Sequence, residues 1–130
     1  MSEPSSYILR IQKDELERQL FGKHIFYVNI SRSWSRGIFV LFVKKDLFVS
    51  SGVIDRFVDL DEMEEGEKRL CIENNWYGKI LFARLTRFVP PVPVRETLAA
   101  GQNPLALHGS NLSNNDAAKI EEMAAGRIIS

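Results

Sequence analysis

The sequence predicts an α+β fold: a small curved, mostly antiparallel β-barrel with flanking helices. Three observations predict it. Five or six strand-like segments follow one another at hairpin spacing, with turn signals between them. Two segments carry helical periodicity, one before the second strand and one near the end. Gly52 interrupts a strand-like run, where a bulge or bend would curve a sheet toward closure.

The elements follow in order. Residues 1–6 read as a disordered lead, and residues 7–127 as a single domain. Tyr7 to Ile11 (YILRI) is a short strand. Lys13 to Phe21 is a helix with Leu16, Leu20 and Phe21 on one face, and Gly22 is its expected C-terminal cap. Ile25 to Ile30 (IFYVNI) is rich in aromatic and β-branched residues and reads as a strand. Ser31 to Arg36 (SRSWSR) is a polar loop. Gly37 to Lys44 (GIFVLFVK) is apolar on both faces, as a central strand is. Lys45-Asp46 is a tight connection to a strand over Leu47 to Ile54.

The acidic stretch Asp59 to Glu67 is a solvated loop or short helix, and Arg69 to Glu73 is read as a strand. Tyr77 to Val89 is the last long strand, which Pro90-Pro91-Val92-Pro93 is expected to stop. Ser113-x-x-Asp116 is a capping box. It opens a helix with Ala117, Ile120 and Ala124 inward and Gly126 at its end.

A chain of 130 residues, 45% hydrophobic and 26% charged, has an ordinary globular composition and buries a core without staples. No apolar run reaches the roughly 18 residues that cross a bilayer. The first six residues lack the basic and apolar regions of a signal peptide, and the single cysteine, Cys71, permits no internal disulfide. The expectation is a cytoplasmic protein with no membrane partner.

The net charge of zero argues against a protein that coats nucleic acid by charge alone. Its distribution is uneven. Lys23 to Arg56 holds six bases against two acids, Asn74 to Arg95 four bases and no acid, and Asp59 to Glu73 seven acids against two bases. Positive charge therefore accompanies the two tryptophan segments.

The search for catalytic chemistry is mostly negative. His24 and His108 stand apart from any Cys or Asp at metal-ligand spacing. His24 reads as a surface or capping histidine, and Cys71, between Leu70 and Ile72, as a buried inert thiol. No nucleophile elbow, Walker A or dinucleotide fingerprint is present. The expectation is a protein that is not an enzyme and needs no cofactor or metal.

The positive signal is a pair of tryptophans in polar segments. Trp34 is flanked by Arg32, Ser33, Ser35 and Arg36; Trp76 follows Glu73-Asn74-Asn75. An indole buries so much area that a polar loop holds one only if it packs back on the barrel mouth or meets a ligand. Two such loops, each just before a long strand, suit a pair of rings facing one another across a cleft.

The run from Trp76 to Pro91 (WYGKILFARLTRFVPP) resembles the Trp-x-Gly, long strand, then proline signature of YTH and EVE domains of the PUA-like superfamily. The upstream order agrees: Asn29 to Trp34 (NISRSW), then GIFVLFV, then FVSSGVI, with the helix from Ser113 to Ala125 in the matching place. The resemblance covers roughly residues 24 to 125. It implies an RNA or single-stranded nucleic-acid binder reading a flipped, possibly methylated base. Trp34 and Trp76 would be the cage walls. Asn29, Ser31, Ser33 and Ser35 would bond the base edge, and Arg32, Arg36 and Lys79 would hold phosphates. Plain single-stranded RNA or tRNA binding is the alternative within the superfamily. Outside it stand a small-molecule-sensing or enzymatic domain on the same barrel and a protein-interaction domain.

Overall fold

The computed structural model describes residues 6–97, 107–124 and 128–129. The expected lead at residues 1–5, and Gly126 as a helix end, lie outside them; Ser6 already belongs to a strand. The elements are β1 (Ser6–Arg10), α1 (Asp14–Lys23), β2 (Ile25–Val28), β3 (Phe39–Lys44), β4 (Leu47–Asp59), α2 (Glu65–Glu73), β5 (Gly78–Pro93), β6 (Asn111–Leu112), α3 (Asn114–Met123) and β7 (Ile128–Ile129).

The α+β class holds, but the expected barrel does not: the strands form an open mixed sheet in the order β2-β5-β4-β3-β1-β6, with β7 added on β5. The ladders are antiparallel except β1 beside β3, which runs parallel with Tyr7 opposite Val40 and Arg10 opposite Val43. A parallel neighbour needs a crossover. Here the chain supplies it through α1, β2 and the loop that carries Trp34.

The sheet is buried on both faces, which accounts for the unbroken apolar run of β3. Tyr7 and Leu9 of β1 and Val40 and Phe42 of β3 face one way, with Leu16 and Leu20 of α1 and Phe26, Ile80 and Phe82. Ile8, Leu41 and Val43 face the other way, with Phe48, Phe88 and Val92 under Ala117, Ile120 and Ala124 of α3. Successive strand residues point to opposite faces, so a central strand with both faces covered is apolar throughout. Each fully buried Phe or Leu contributes roughly 1.5–3 kcal/mol. Ten-residue helices such as α1 and α3 are marginal alone, so they persist because their apolar stripes cover these two cores.

Several local expectations hold. Lys45, in the left-handed region at φ 57°, turns β3 into β4. The Ser113 hydroxyl accepts the Asp116 N–H at 3.1 Å and caps α3. His24 is the αL cap of α1 at φ 59°, and Gly22, expected in that place, lies inside the helix.

Others are corrected. Arg69–Glu73 is the end of α2, not a strand. A short apolar run does not by itself separate strand from helix. Here only Cys71 is buried while Leu70 and Ile72 are 43% and 57% exposed, and Glu65 and Glu67 favour a helix N-terminus. The proline run does not stop β5 either. The ladder to β4 pairs Ser50 with Arg87 and next Phe48 with Val92. It thus steps over Pro90 and Pro91, which have no N–H to donate. Gly52 is not itself a bulge: it pairs regularly with Val40 and Leu85. A Cβ there would stand 2.7 Å from Cδ1 of Phe82, so the glycine makes room for a core ring.

Candidate nucleic-acid interface

Trp34 closes its own loop. Its ring is only 6% exposed, meets Tyr7 edge-on at 5.0 Å between centroids, and donates its Nε1–H to the Ile30 carbonyl at 3.2 Å. The indole belongs to the α1-side core. The loop backbone folds tightly around it: the N–H groups of Trp34 and Ser35 donate to the carbonyls of Arg32 and Ser33. Ser31, Ser33 and Ser35 are left exposed. Trp34 as the open wall of a cage is therefore corrected: the ring is a brace, inward because that is where the apolar surface of Tyr7 lies.

Trp76 is different. It follows Asn75, which turns the chain at φ 60°, and its N–H donates to the Cys71 carbonyl at 2.8 Å. One face of the half-buried ring stacks on Tyr27, 4.6 Å between centroids and 14° between planes. The two tryptophans thus have different aromatic partners, and the expected facing pair does not form. The stack is anchored from behind. The Tyr27 hydroxyl donates to Glu67 Oε2 at 2.6 Å, and Lys79 Nζ donates to the same oxygen at 2.7 Å. Burial, then the Glu67 carboxylate, pushes the Tyr27 phenol far up; Lys79, then Tyr27, holds the Glu67 carboxyl below its ordinary value.

Lys79 is consequently spent. Its side chain is 18% exposed and neutralised by Glu67, which corrects its expected role at a phosphate. Arg36 is exposed but pairs with Asp55 at 3.2 Å. Arg32 keeps its charge: it donates to the carbonyls of Gly109 and Ser31 and makes no ion pair among the described residues.

Asn29 directly follows β2 and is exposed. Its Oδ1 lies 2.7 Å from Nε2 of His108, whose Nδ1 accepts the Arg10 N–H at 2.8 Å. An amide N–H only donates, so Nδ1 is unprotonated and the neutral ring carries its proton on Nε2. That proton goes to Oδ1, and the Asn29 amide is turned with its NH2 free. Burial, then Arg10 and Arg32, holds the His108 pKa below its ordinary value. Arg10, Gln12, Asn29, Trp76 and His108 line a dimple of about 10 Å³, and Trp76, Tyr27 and Leu16 also line a second cleft of about 80 Å³ beside Lys13, Gln19 and Asn74. His108 and Arg10 were not legible as site residues: 79 residues separate Asn29 from His108. The only sequence signal was an arginine in an otherwise apolar strand.

This relay has a pH signature. The folded His108 pKa lies below 6.5, so its contribution is complete above that value and is lost as pH falls through the folded value. Glu67, also lowered, adds a second loss below 4.5. Thermal melts should show Tm falling as the pH drops below roughly 6.5, and His108→Gln should flatten that first step. A wild-type Tm that stays level between about pH 7.5 and 5.5 would contradict the neutral relay.

No group of three His, Cys, Asp or Glu side chains among the described residues is placed to hold a metal. Cys71 is 0% exposed and burial pushes its thiol up, away from the reactive thiolate. No helix among the described residues is long and apolar enough to cross a membrane.

The chain matches no family model and no curated protein sequence. Its backbone is similar to that of ZmASCH from Zymomonas mobilis, crystallised as a serine-to-alanine mutant, with a TM-score of 0.65 over 95% of this chain and 99% of that one. At 10% identity the likeness is one of fold alone. Trp34 and Trp76 both pack on the α1 side of the sheet.

Proposed function

We propose that this chain is a non-enzymatic nucleic-acid-binding module that holds single-stranded RNA across the Asn29–Trp76 mouth. One observation carries the reading: an amide oriented by His108 stands beside a half-buried indole, with Arg10 and Arg32 close by and unpaired with any carboxylate among the described residues. Each part answers one part of a nucleotide. Guanidinium groups meet phosphates, an indole stacks on a base, and the free Asn29 NH2 donates to an acceptor on the base edge. Ser31, Ser33 and Ser35 line the exposed loop next to it.

The finer part of the proposal is that the bound nucleotide is flipped and carries a methylated base, as in the YTH and EVE domains the sequence resembles. Trp76 is then the stacking plane and Trp34 its support. The small size of the clefts favours a strand lying across the surface over a bound free metabolite. Small-molecule pockets run to roughly 300–1,000 Å³, and the cleft beside Trp76 is about 80 Å³.

Fluorescence anisotropy with plain and modified oligonucleotides tests the reading. Binding should weaken with salt at a log–log slope of about −0.7 per phosphate engaged. Arg10→Ala and Arg32→Ala should each lower that slope, and Arg36→Ala should leave it unchanged. Salt-independent binding, or equal losses in Arg36→Ala and Arg32→Ala, would refute the assignment.

A further inference from the structure

On the opposite face of the sheet from the RNA mouth, α3 roofs a cavity of about 170 Å³ lined by Ser6, Phe39, Arg84, Asn114, Ala118 and Glu121. We propose that this cavity is a seat for a guanine base carrying a phosphate. The inference is independent of the RNA-mouth reading.

The sheet register builds the floor. Phe39 pairs with Val53 and Val53 with Arg84, while Ser6 precedes the Tyr7–Val40 pair and so falls beside Phe39. One row across four strands thus brings a hydroxyl, an aromatic ring and a guanidinium to the same face. Asn114, Ala118 and Glu121 follow at helical spacing and share one side of α3. The small Ala118 leaves the space open. An apolar cavity of about 150 Å³ admits benzene, so this pocket of about 170 Å³ takes the six-membered ring of guanine, which carries the N1–H, N2–H and O6 edge, and its open side leaves the rest of the nucleotide outside.

Two buried hydroxyls hold the polar groups in place. Ser6, 0% exposed, donates its hydroxyl to Asn114 Oδ1 at 2.7 Å, which leaves the Asn114 NH2 free to donate. Ser51, 1% exposed, donates to Glu121 Oε2 at 2.9 Å; Oε1 and the second lone pair of Oε2 have no partner among the described residues and can accept side by side. Arg84 makes no ion pair among the described residues, although a carboxylate lines the same cavity. A carboxylate only accepts, so it selects a ligand with adjacent N–H donors. The N1–H and N2–H edge of guanine presents two side by side; adenine and uracil do not. Asn114 then donates to O6, Phe39 meets the ring, and Arg84 takes the phosphate.

Calorimetric titration of the full chain with guanosine monophosphate, adenosine monophosphate and a short guanosine-containing RNA tests this. Guanosine monophosphate should bind at least about tenfold tighter than adenosine monophosphate, the discrimination of one bidentate pair. Glu121→Gln and Ala118→Leu should each abolish that preference, and Arg84→Ala should weaken the monophosphate but not guanosine. Ala118 is exposed on its helix, so leucine fills the cavity without breaking α3, which circular dichroism checks. If the RNA alone binds and its affinity depends on Glu121 and Ala118, the guanine belongs to a strand rather than a free nucleotide, and the seat stands. Equal binding of the two monophosphates, guanosine monophosphate binding that survives Ala118→Leu, or no guanosine monophosphate binding at millimolar concentration together with RNA binding indifferent to Glu121→Gln and Ala118→Leu would overturn it.

Discussion

Replacing Trp34 by alanine is expected to cost about 3–5 kcal/mol of unfolding free energy, the range for removing a large aromatic from a packed core. The ring is 6% exposed, touches Tyr7 edge-on and satisfies the Ile30 carbonyl. Truncation therefore removes apolar burial, an aromatic pair and a hydrogen-bond donor together. Against a total stability of roughly 5–15 kcal/mol, that leaves the domain close to unfolding. Trp34→Phe keeps most of the buried area but leaves the Ile30 carbonyl without its donor, at about 1–3 kcal/mol. Urea unfolding measures both. The RNA affinity of the folded fraction should be unchanged in Trp34→Phe. A variant with wild-type stability and lost RNA binding would return Trp34 to the ligand side and undo its assignment as a brace.

Trp76→Ala should do the reverse. RNA affinity is expected to fall by about 5- to 150-fold, the equivalent of roughly 1–3 kcal/mol of base stacking. Stability should fall by less than in Trp34→Ala, because the ring is only half-buried and what it loses inside the protein is chiefly the Tyr27 stack, about 0.5–1.5 kcal/mol. Trp76→Phe should recover part of the affinity, since any flat ring offers a face. Fluorescence anisotropy for binding and urea unfolding for stability separate the two effects. Affinity unchanged in a folded Trp76→Ala protein would remove the stacking plane, and with it the reason to place a base at this mouth.

The contrast between the tryptophans rests on what each has behind it. Trp34 has Tyr7, and the loop collapses onto it. Trp76 has a Tyr27 ring already fastened by Glu67 and Lys79, so one of its faces is covered while the half-buried ring still lines the cleft. The same fastening withdraws Lys79 from any ligand. Of the three cations expected at phosphates, Arg36 and Lys79 meet acids, while Arg32, like Arg10, makes no ion pair among the described residues.

By itself the sequence determined whatever a few neighbouring residues decide: the α1 periodicity of Leu16 and Leu20, the Lys45-Asp46 turn between β3 and β4, the Ser113 cap of α3 and the two-sided apolarity of β3. Period, turn and cap are local properties, so they are legible locally. Tertiary structure alone decided the parallel pairing of β1 with β3, the open sheet, the inward turn of Trp34, the neutralisation of Lys79, and the junction of Asn29 with His108. Whether an indole is covered or a cation is spent depends on which distant segment packs against it, and no spacing along the chain records that.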